Sequence, residues 1–115
     1  MGWLVVCSKP NAEVQAYGSF IRNGWNCFLP RVRGKKDVLR PLFPRYLFLE
    51  EGKFDPVTAQ YQPGVSYMLR TASDEGSFAR IGSELIAELK EAVARGLLDE
   101  RQELVDEVRG LLREC

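Results

Sequence analysis

Arg45-Tyr46-Leu47-Phe48-Leu49-Glu50 is the stretch on which the fold turns. Aromatic and aliphatic residues follow one another without a break, and Pro44 on one side and Glu51-Gly52-Lys53 on the other stop the run, which is the pattern of a β-strand. A period of two puts Tyr46 and Phe48 on one face and Leu47 and Leu49 on the other.

Working back from it, Val38 to Phe43 reads as the returning arm of a hairpin, kept irregular by Pro41 and Pro44, with Arg33-Gly34-Lys35-Lys36-Asp37 as its polar turn. Trp25 to Val32 is a second strand that Pro30 bends or places at an edge, since proline donates no ladder hydrogen bond. Trp3 to Cys7 is a buried strand closed by Ser8-Lys9-Pro10-Asn11. Between the two, Asn11 caps a helix whose expected apolar side is Val14, Tyr17 and Ile21. Gly18 on that face allows close approach to a sheet, and Gly24 supplies a left-handed stop. Working forward, Asp55-Pro56 starts a short helix with Val57 and Tyr61 as its apolar edge, ending by Pro63-Gly64. Val65 to Arg70 is a further strand, and Thr71 to Ser77 a polar loop. Ser83 caps a helix carrying Leu85, Ile86, Leu89 and Val93, which Gly96 stops. A last helical pattern starts at Asp99, with Gln102 completing a capping box, and carries Leu104, Val105, Val108, Leu111 and Leu112.

The expected fold is therefore α+β: an antiparallel four-stranded sheet flanked by helices. Its order, β-α-β-β-α-β-α, is the split βαβ arrangement of ferredoxin-like domains, with an extra C-terminal helix. Residues 1–96 form the domain and residues 97–115 a helical extension.

Composition narrows the function. The chain has 115 residues, 45% apolar and 28% charged, the balance of a soluble globular domain. No stretch approaches the ~18 apolar residues of a membrane span, and the N-terminus lacks the basic start of a signal peptide, so a cytoplasmic location without membrane partners is expected. Cys7, Cys27 and Cys115 are odd in number and lack metal-ligand spacing, so they read as free thiols. The absence of histidine removes Ser-His and Cys-His nucleophile systems and the commonest transition-metal ligand. No phosphate-loop pattern occurs, and neither an enzyme nor a cofactor is expected.

A net charge of zero hides an asymmetry. Residues 31–45 carry six basic side chains against the single acid Asp37, whereas residues 84–115 carry nine acids and five bases. A basic block in a neutral protein suggests one face suited to phosphate.

Several separated segments carry a family resemblance. Trp3-Leu4-Val5-Val6 with its polar turn and helix, then Asn26-Cys27-Phe28-Leu29-Pro30, a basic hairpin, Pro41-Leu42-Phe43-Pro44-Arg45-Tyr46-Leu47-Phe48, and Gly64-Val65-Ser66 together resemble the N-terminal domain of the NusG family. The Asn26-Cys27 pair is similar to the specialised RfaH-like branch. The likeness covers roughly residues 3 to 95. It implies a transcription elongation or antitermination factor that docks on the clamp helices of the largest RNA polymerase subunit and suppresses pausing. In the RfaH-like branch it also implies contact with the exposed non-template DNA strand.

Carried residue by residue, the resemblance makes Tyr46 and Phe48 the polymerase-docking pair, with Cys7 and Ile86 at the edge of the same patch. Read from residues alone, two aromatics on one strand face either fill a core or form an exposed partner patch. If helices cover Leu47 and Leu49, the aromatic face stays open. Arg31, Arg33, Lys35, Lys36 and Arg40 on the hairpin are the candidate nucleic-acid contacts, with Lys9 and Arg22 extending them; such residues position a phosphate backbone and do not read bases. Trp25 either stacks on an unpaired base or lies in the core. The loop after the strand is shorter than in RfaH-like proteins, leaving Thr58 as the candidate contact to the polymerase gate. Helical periodicity follows Gly96 where family members carry a KOW barrel. The last helix either packs plainly, covers the aromatic patch, or pairs with a second copy. A single-stranded RNA-binding module of the RRM kind is the alternative function, although Arg45 to Leu49 lacks that motif's glycines.

Overall fold

The computed structural model describes residues 2–34, 37–52, 54–71 and 77–114. Its strands are β1 (Gly2–Ser8), β2 (Cys27–Phe28), β3 (Arg31–Arg33), β4 (Leu39–Pro41), β5 (Tyr46–Glu50), β6 (Val65–Met68) and β7 (Arg80–Gly82). Its helices are α1 (Glu13–Arg22), α2 (Pro56–Gln60), α3 (Ser83–Arg95) and α4 (Gln102–Glu114).

The main sheet is antiparallel, with strand order β2-β5-β1-β6. β7 pairs with the Gly2–Leu4 half of β1, and β6 with its Val6–Ser8 half. A first strand flanked by the third and fourth main strands is the split βαβ order, and the fold is α+β as the sequence implies. Two details differ. Pro30 divides the Trp25–Val32 run: Cys27 and Phe28 stay in the main sheet, while Arg31 to Arg33 leave it and pair with β4 as a separate two-stranded ribbon. β7 is an extra strand, carried by a three-residue run too short to show a period.

β1 and β5 set the two faces. Val5 opposes Phe48 and Cys7 opposes Tyr46, while Leu4 opposes Leu49 and Val6 opposes Leu47. The Leu47 face is covered by α1 and α2, whose Ala16, Phe20 and Ala59 are buried with Leu4, Val6, Leu47, Leu49 and Met68. The Phe48 face is covered by α3 and α4, through Ile86, Leu89, Ala92, Leu104, Val105, Val108 and Leu112. The last helix thus enlarges the core that α3 helps build. Its apolar stripe is spent on its own sheet, so pairing with a second copy through that stripe requires α4 to leave.

The orientation of α1 corrects the expectation at two of its three residues: Tyr17 packs half-buried against the Leu47-side core, but Val14 and Ile21 do not. Val14 is 62% exposed and Ile21 46% exposed, whereas Glu13, Ala16, Ser19 and Phe20 turn inward. Spacing finds a helix but does not say which stripe wins. Phe20 and Ala16 win because the sheet and the Pro63–Gly64 turn leave room for one large ring and one small residue. Gly18 makes no close approach to the sheet; among the described residues a Cβ there would meet only Arg22. Gly64 makes it instead, at φ +88, with Ala16 N 2.8 Å from where its Cβ would stand. On α2, Asp55 accepts from Val57 N as a cap should, yet Val57 and Tyr61 are exposed and Ala59 faces inward. α3 begins one residue beyond Gly82 rather than under a Ser83 cap, and ends on left-handed Gly96. α4 begins at Gln102, not at Asp99.

Candidate functional site

The docking residues implied by the family resemblance come together. Alternation places Trp3, Val5 and Cys7 of β1 on the same face as Tyr46 and Phe48 of β5, and Cys7 pairs across the sheet with Tyr46 on one side and Tyr67 on the other. Ile86 joins them from α3. The Phe48 ring meets Phe43 edge-on, centroids 6.2 Å apart at 81°, and tilts against Phe28 at 6.3 Å.

That face is closed: of the two readings the residues left open, a filled core and an exposed patch, the structure has the filled core, and α4 lies over the face, one of the alternatives for the last helix. Helices cover both sides of the sheet, so burying Leu47 and Leu49 does not leave Phe48 exposed. Phe48 is 0% exposed, Ile86 and Cys7 are buried, and Tyr46 is half-buried at the rim. Two cations finish the cover: Lys90 Nζ sits 4.3 Å from the Trp3 ring centroid and the Arg109 guanidinium 5.7 Å from that of Phe43. Hydrogen bonding with the Cys7 thiol, followed by charge interactions and burial, holds the Tyr67 phenol above its ordinary value. Burial pushes the Cys27 thiol well up, with Lys90 opposing.

The strand that carries the pair starts from a strained residue. Arg45 has φ +73, a left-handed conformation that costs a side-chain-bearing residue about 1 kcal/mol or more. Three hydrogen bonds hold it: its main-chain N–H donates to the buried Glu13 carboxylate at 3.0 Å, its Nε donates to Ser8 O at 3.0 Å, and its carbonyl accepts from Ser8 N at 2.7 Å. Glu13 is the residue that sequence reasoning missed. It lies one position before the expected apolar stripe, and an acid in the first turn of a helix reads as a dipole partner rather than as a buried acceptor.

The basic ribbon of β3 and β4 is present. Arg31 opposes Pro41, Val32 opposes Arg40 and Arg33 opposes Leu39. Alternation therefore puts Arg31 and Arg33 on one face and Arg40 on the other, where it folds against Gly34. Arg33 is partly neutralised by Asp37 at 3.3 Å. Lys35 and Lys36 lie outside the described residues. The ribbon and the end of α3 border an open groove of about 630 Å³ lined by Arg31, Arg33, Leu39, Arg95 and Leu98, among others. Lys9 and Arg22 are exposed, but they stand at the two ends of α1 and not on the ribbon. Trp25 is taken up by packing: it stacks on Phe54, centroids 4.4 Å apart, and tilts against Phe20. Thr58 is exposed in α2.

Comparison with known proteins adds one finding. No family model matches the sequence, and no curated protein matches it by sequence. A solved structure described as "Domain interaction in Thermotoga maritima NusG" is similar in three dimensions, with a TM-score of 0.52 and 18% identity. The match covers 74% of this chain and 52% of that one, so this chain spans about half the length of that NusG. No described helix is long and apolar enough to cross a membrane. On these grounds the chain has a NusG-like α+β fold.

Proposed function

We propose that this chain is a transcription elongation and antitermination factor of the RfaH-like branch of the NusG family. It docks on the clamp helices of the largest RNA polymerase subunit through the face of Tyr46 and Phe48, edged by Cys7 and Ile86. The observation that carries this reading is that Cys7, Tyr46 and Phe48 share one sheet face, with Ile86 of α3 packed in the same core, within a NusG-like fold. Docking there requires α4 to move aside, because Leu104, Val105, Val108 and Leu112 occupy the face. Residues 1–96 are in this reading the docking domain and residues 97–115 its cover.

The action is non-covalent. A factor that binds only the closed clamp stabilises that state by its differential affinity, and about 3 kcal/mol shifts a pause equilibrium more than a hundredfold. The ribbon, through Arg31, Arg33, Lys35, Lys36 and Arg40, holds the phosphates of the displaced non-template strand, with Lys9 and Arg22 on a second element and Thr58 toward the polymerase gate.

The test is calorimetric titration of a clamp-helix coiled-coil peptide into three folded proteins: wild type, Val108→Asp, and Val108→Asp carrying Tyr46→Ala. Weak binding by wild type, tight binding by the opened variant and loss with Tyr46→Ala are expected. An opened, folded variant that ignores the peptide and binds a single-stranded oligoribonucleotide would replace this reading with the RRM-like one.

A further inference from the structure

A slot of about 180 Å³ opens where the end of α4 meets the entry to β5. Phe43, Pro44 and Tyr46 line it from the sheet side, and Arg109, Leu112 and Arg113 from α4. Phe43 and Leu112 are buried and give it an apolar floor. Pro44 and half-buried Tyr46 form one wall.

The opposite rim is cationic. Arg109 and Arg113 are four residues apart on one helix and therefore share a face. The Arg109 guanidinium lies over the Phe43 ring, 5.7 Å from its centroid, and its side chain is 41% exposed. Its ion pair with Asp106 spans 3.7 Å, too long for a strong hydrogen bond, so a guanidinium with five donors keeps capacity for another acceptor.

Size and chemistry select the ligand. A cavity of ~150 Å³ takes one benzene ring, and drug-sized sites begin near 300 Å³, so this slot holds one ring or one branched alkyl group. A planar guanidinium matches a carboxylate through two parallel hydrogen bonds.

We propose that the slot binds a small carboxylate with an aromatic or branched-alkyl body. The body lies on Phe43, Pro44 and Leu112, and the carboxylate lies between Arg109 and Arg113. Three lining residues belong to the sheet side and three to α4, so the complete site exists only while α4 covers the Phe48 face. A ligand that binds that state alone raises its weight over the open state by a factor of one plus the ratio of ligand concentration to Kd, and thereby holds the cover down. The inference concerns the contact between α4 and the sheet and stands whether or not the face docks on polymerase.

Nuclear magnetic resonance titration of the whole chain at constant ionic strength tests it, with benzoate, neutral benzamide and sulfate as probes. Benzoate is expected to give saturable shifts confined to Phe43, Tyr46, Arg109 and Leu112 and their neighbours. Its dissociation constant should be on the order of 1 mM, as suits a ligand of about nine heavy atoms. Benzamide and sulfate should each bind at least tenfold more weakly. Arg109→Gln with Arg113→Gln should weaken benzoate about tenfold and leave benzamide unchanged; Arg113→Gln alone, at an exposed position, serves if the pair loosens α4. With benzoate at about ten times its dissociation constant, exchange of α4 amides that requires the helix to lift should slow roughly tenfold. Equal binding of benzamide, equal binding of sulfate, or no saturable shift near the slot overturns the site. Unchanged α4 exchange at saturation overturns the hold.

Discussion

The main-chain N–H of Arg45 donates to the buried carboxylate of Glu13, joining the first turn of α1 to the residue that launches β5. Arg45 is left-handed at φ +73, and the Glu13 acceptor helps keep it so. Removing the acceptor leaves a partly buried donor unsatisfied, which costs about 1–3 kcal/mol. We predict that Glu13→Ala loses about 2 kcal/mol by urea unfolding and that Glu13→Gln, which keeps an acceptor oxygen, loses under 1 kcal/mol. Equal losses would sink this account of the strand entry.

Gly64 and Gly96 both have positive φ, +88 and +68, but their surroundings differ. Alanine at Gly96 meets open space, so Gly96→Ala should cost about 1 kcal/mol from backbone strain alone. At Gly64 the new methyl meets main-chain atoms of Ala12 and Ala16, which do not give way as a flexible side chain does. Gly64→Ala is predicted to cost more than 2 kcal/mol and to loosen α1 against β6. Denaturation midpoints of the two variants check it; the reverse order would contradict it.

Leu104 sits at the start of the contact between α4 and the Phe48 face. Truncation to alanine should cost about 2–4 kcal/mol and expose the aromatic face transiently. A fluorescent dye selective for apolar surface should brighten on Leu104→Ala and not on Val14→Ala, since Val14 is already exposed. No difference between the two would mean that α4 does not cover the face in solution.

The ribbon arginines make a salt-dependent prediction. Each phosphate contact to a single strand contributes about 0.7 to the slope of log affinity against log salt. Arg31→Gln with Arg33→Gln should therefore flatten that slope by about 1.4 for a single-stranded oligonucleotide, read by fluorescence anisotropy. Arg22→Gln, on α1, tests whether that helix belongs to the same footprint. An unchanged slope in the ribbon pair would remove the ribbon from the interface.

Burial raises the Cys27 thiol above its ordinary value of 9.0. A group with a raised folded value contributes stability that is fully present below its unfolded value and is lost as pH climbs through the folded one. Between about pH 8 and about pH 10 the wild type should therefore lose about 1 kcal/mol more than Cys27→Val, by denaturation at each pH. Parallel losses in the two proteins would show that the thiol is not held protonated by the fold.

The sequence by itself determined the kind of fold, the position of its long elements and the pairing of chemistry with strand faces. The Tyr46–Glu50 alternation, the Asp55-Pro56 start, the Gly24 and Gly96 stops and the break at Pro30 are local: each follows from dihedral preference or a missing donor within a few residues. Tertiary structure alone decided which stripe of each helix turns inward and what covers each side of the sheet. Val14 and Ile21 make as good a stripe with Tyr17 on paper as Ala16 and Phe20 do, and only the shape of the sheet and of the Gly64 turn chooses between them. A patch of aromatics likewise reads the same whether open or covered, because exposure depends on α4, some sixty residues away in the chain, and local periodicity carries no information about that partner. The same holds for Glu13 and the slot beneath Arg109: each exists only because segments distant in sequence meet, and no spacing within either segment encodes the meeting.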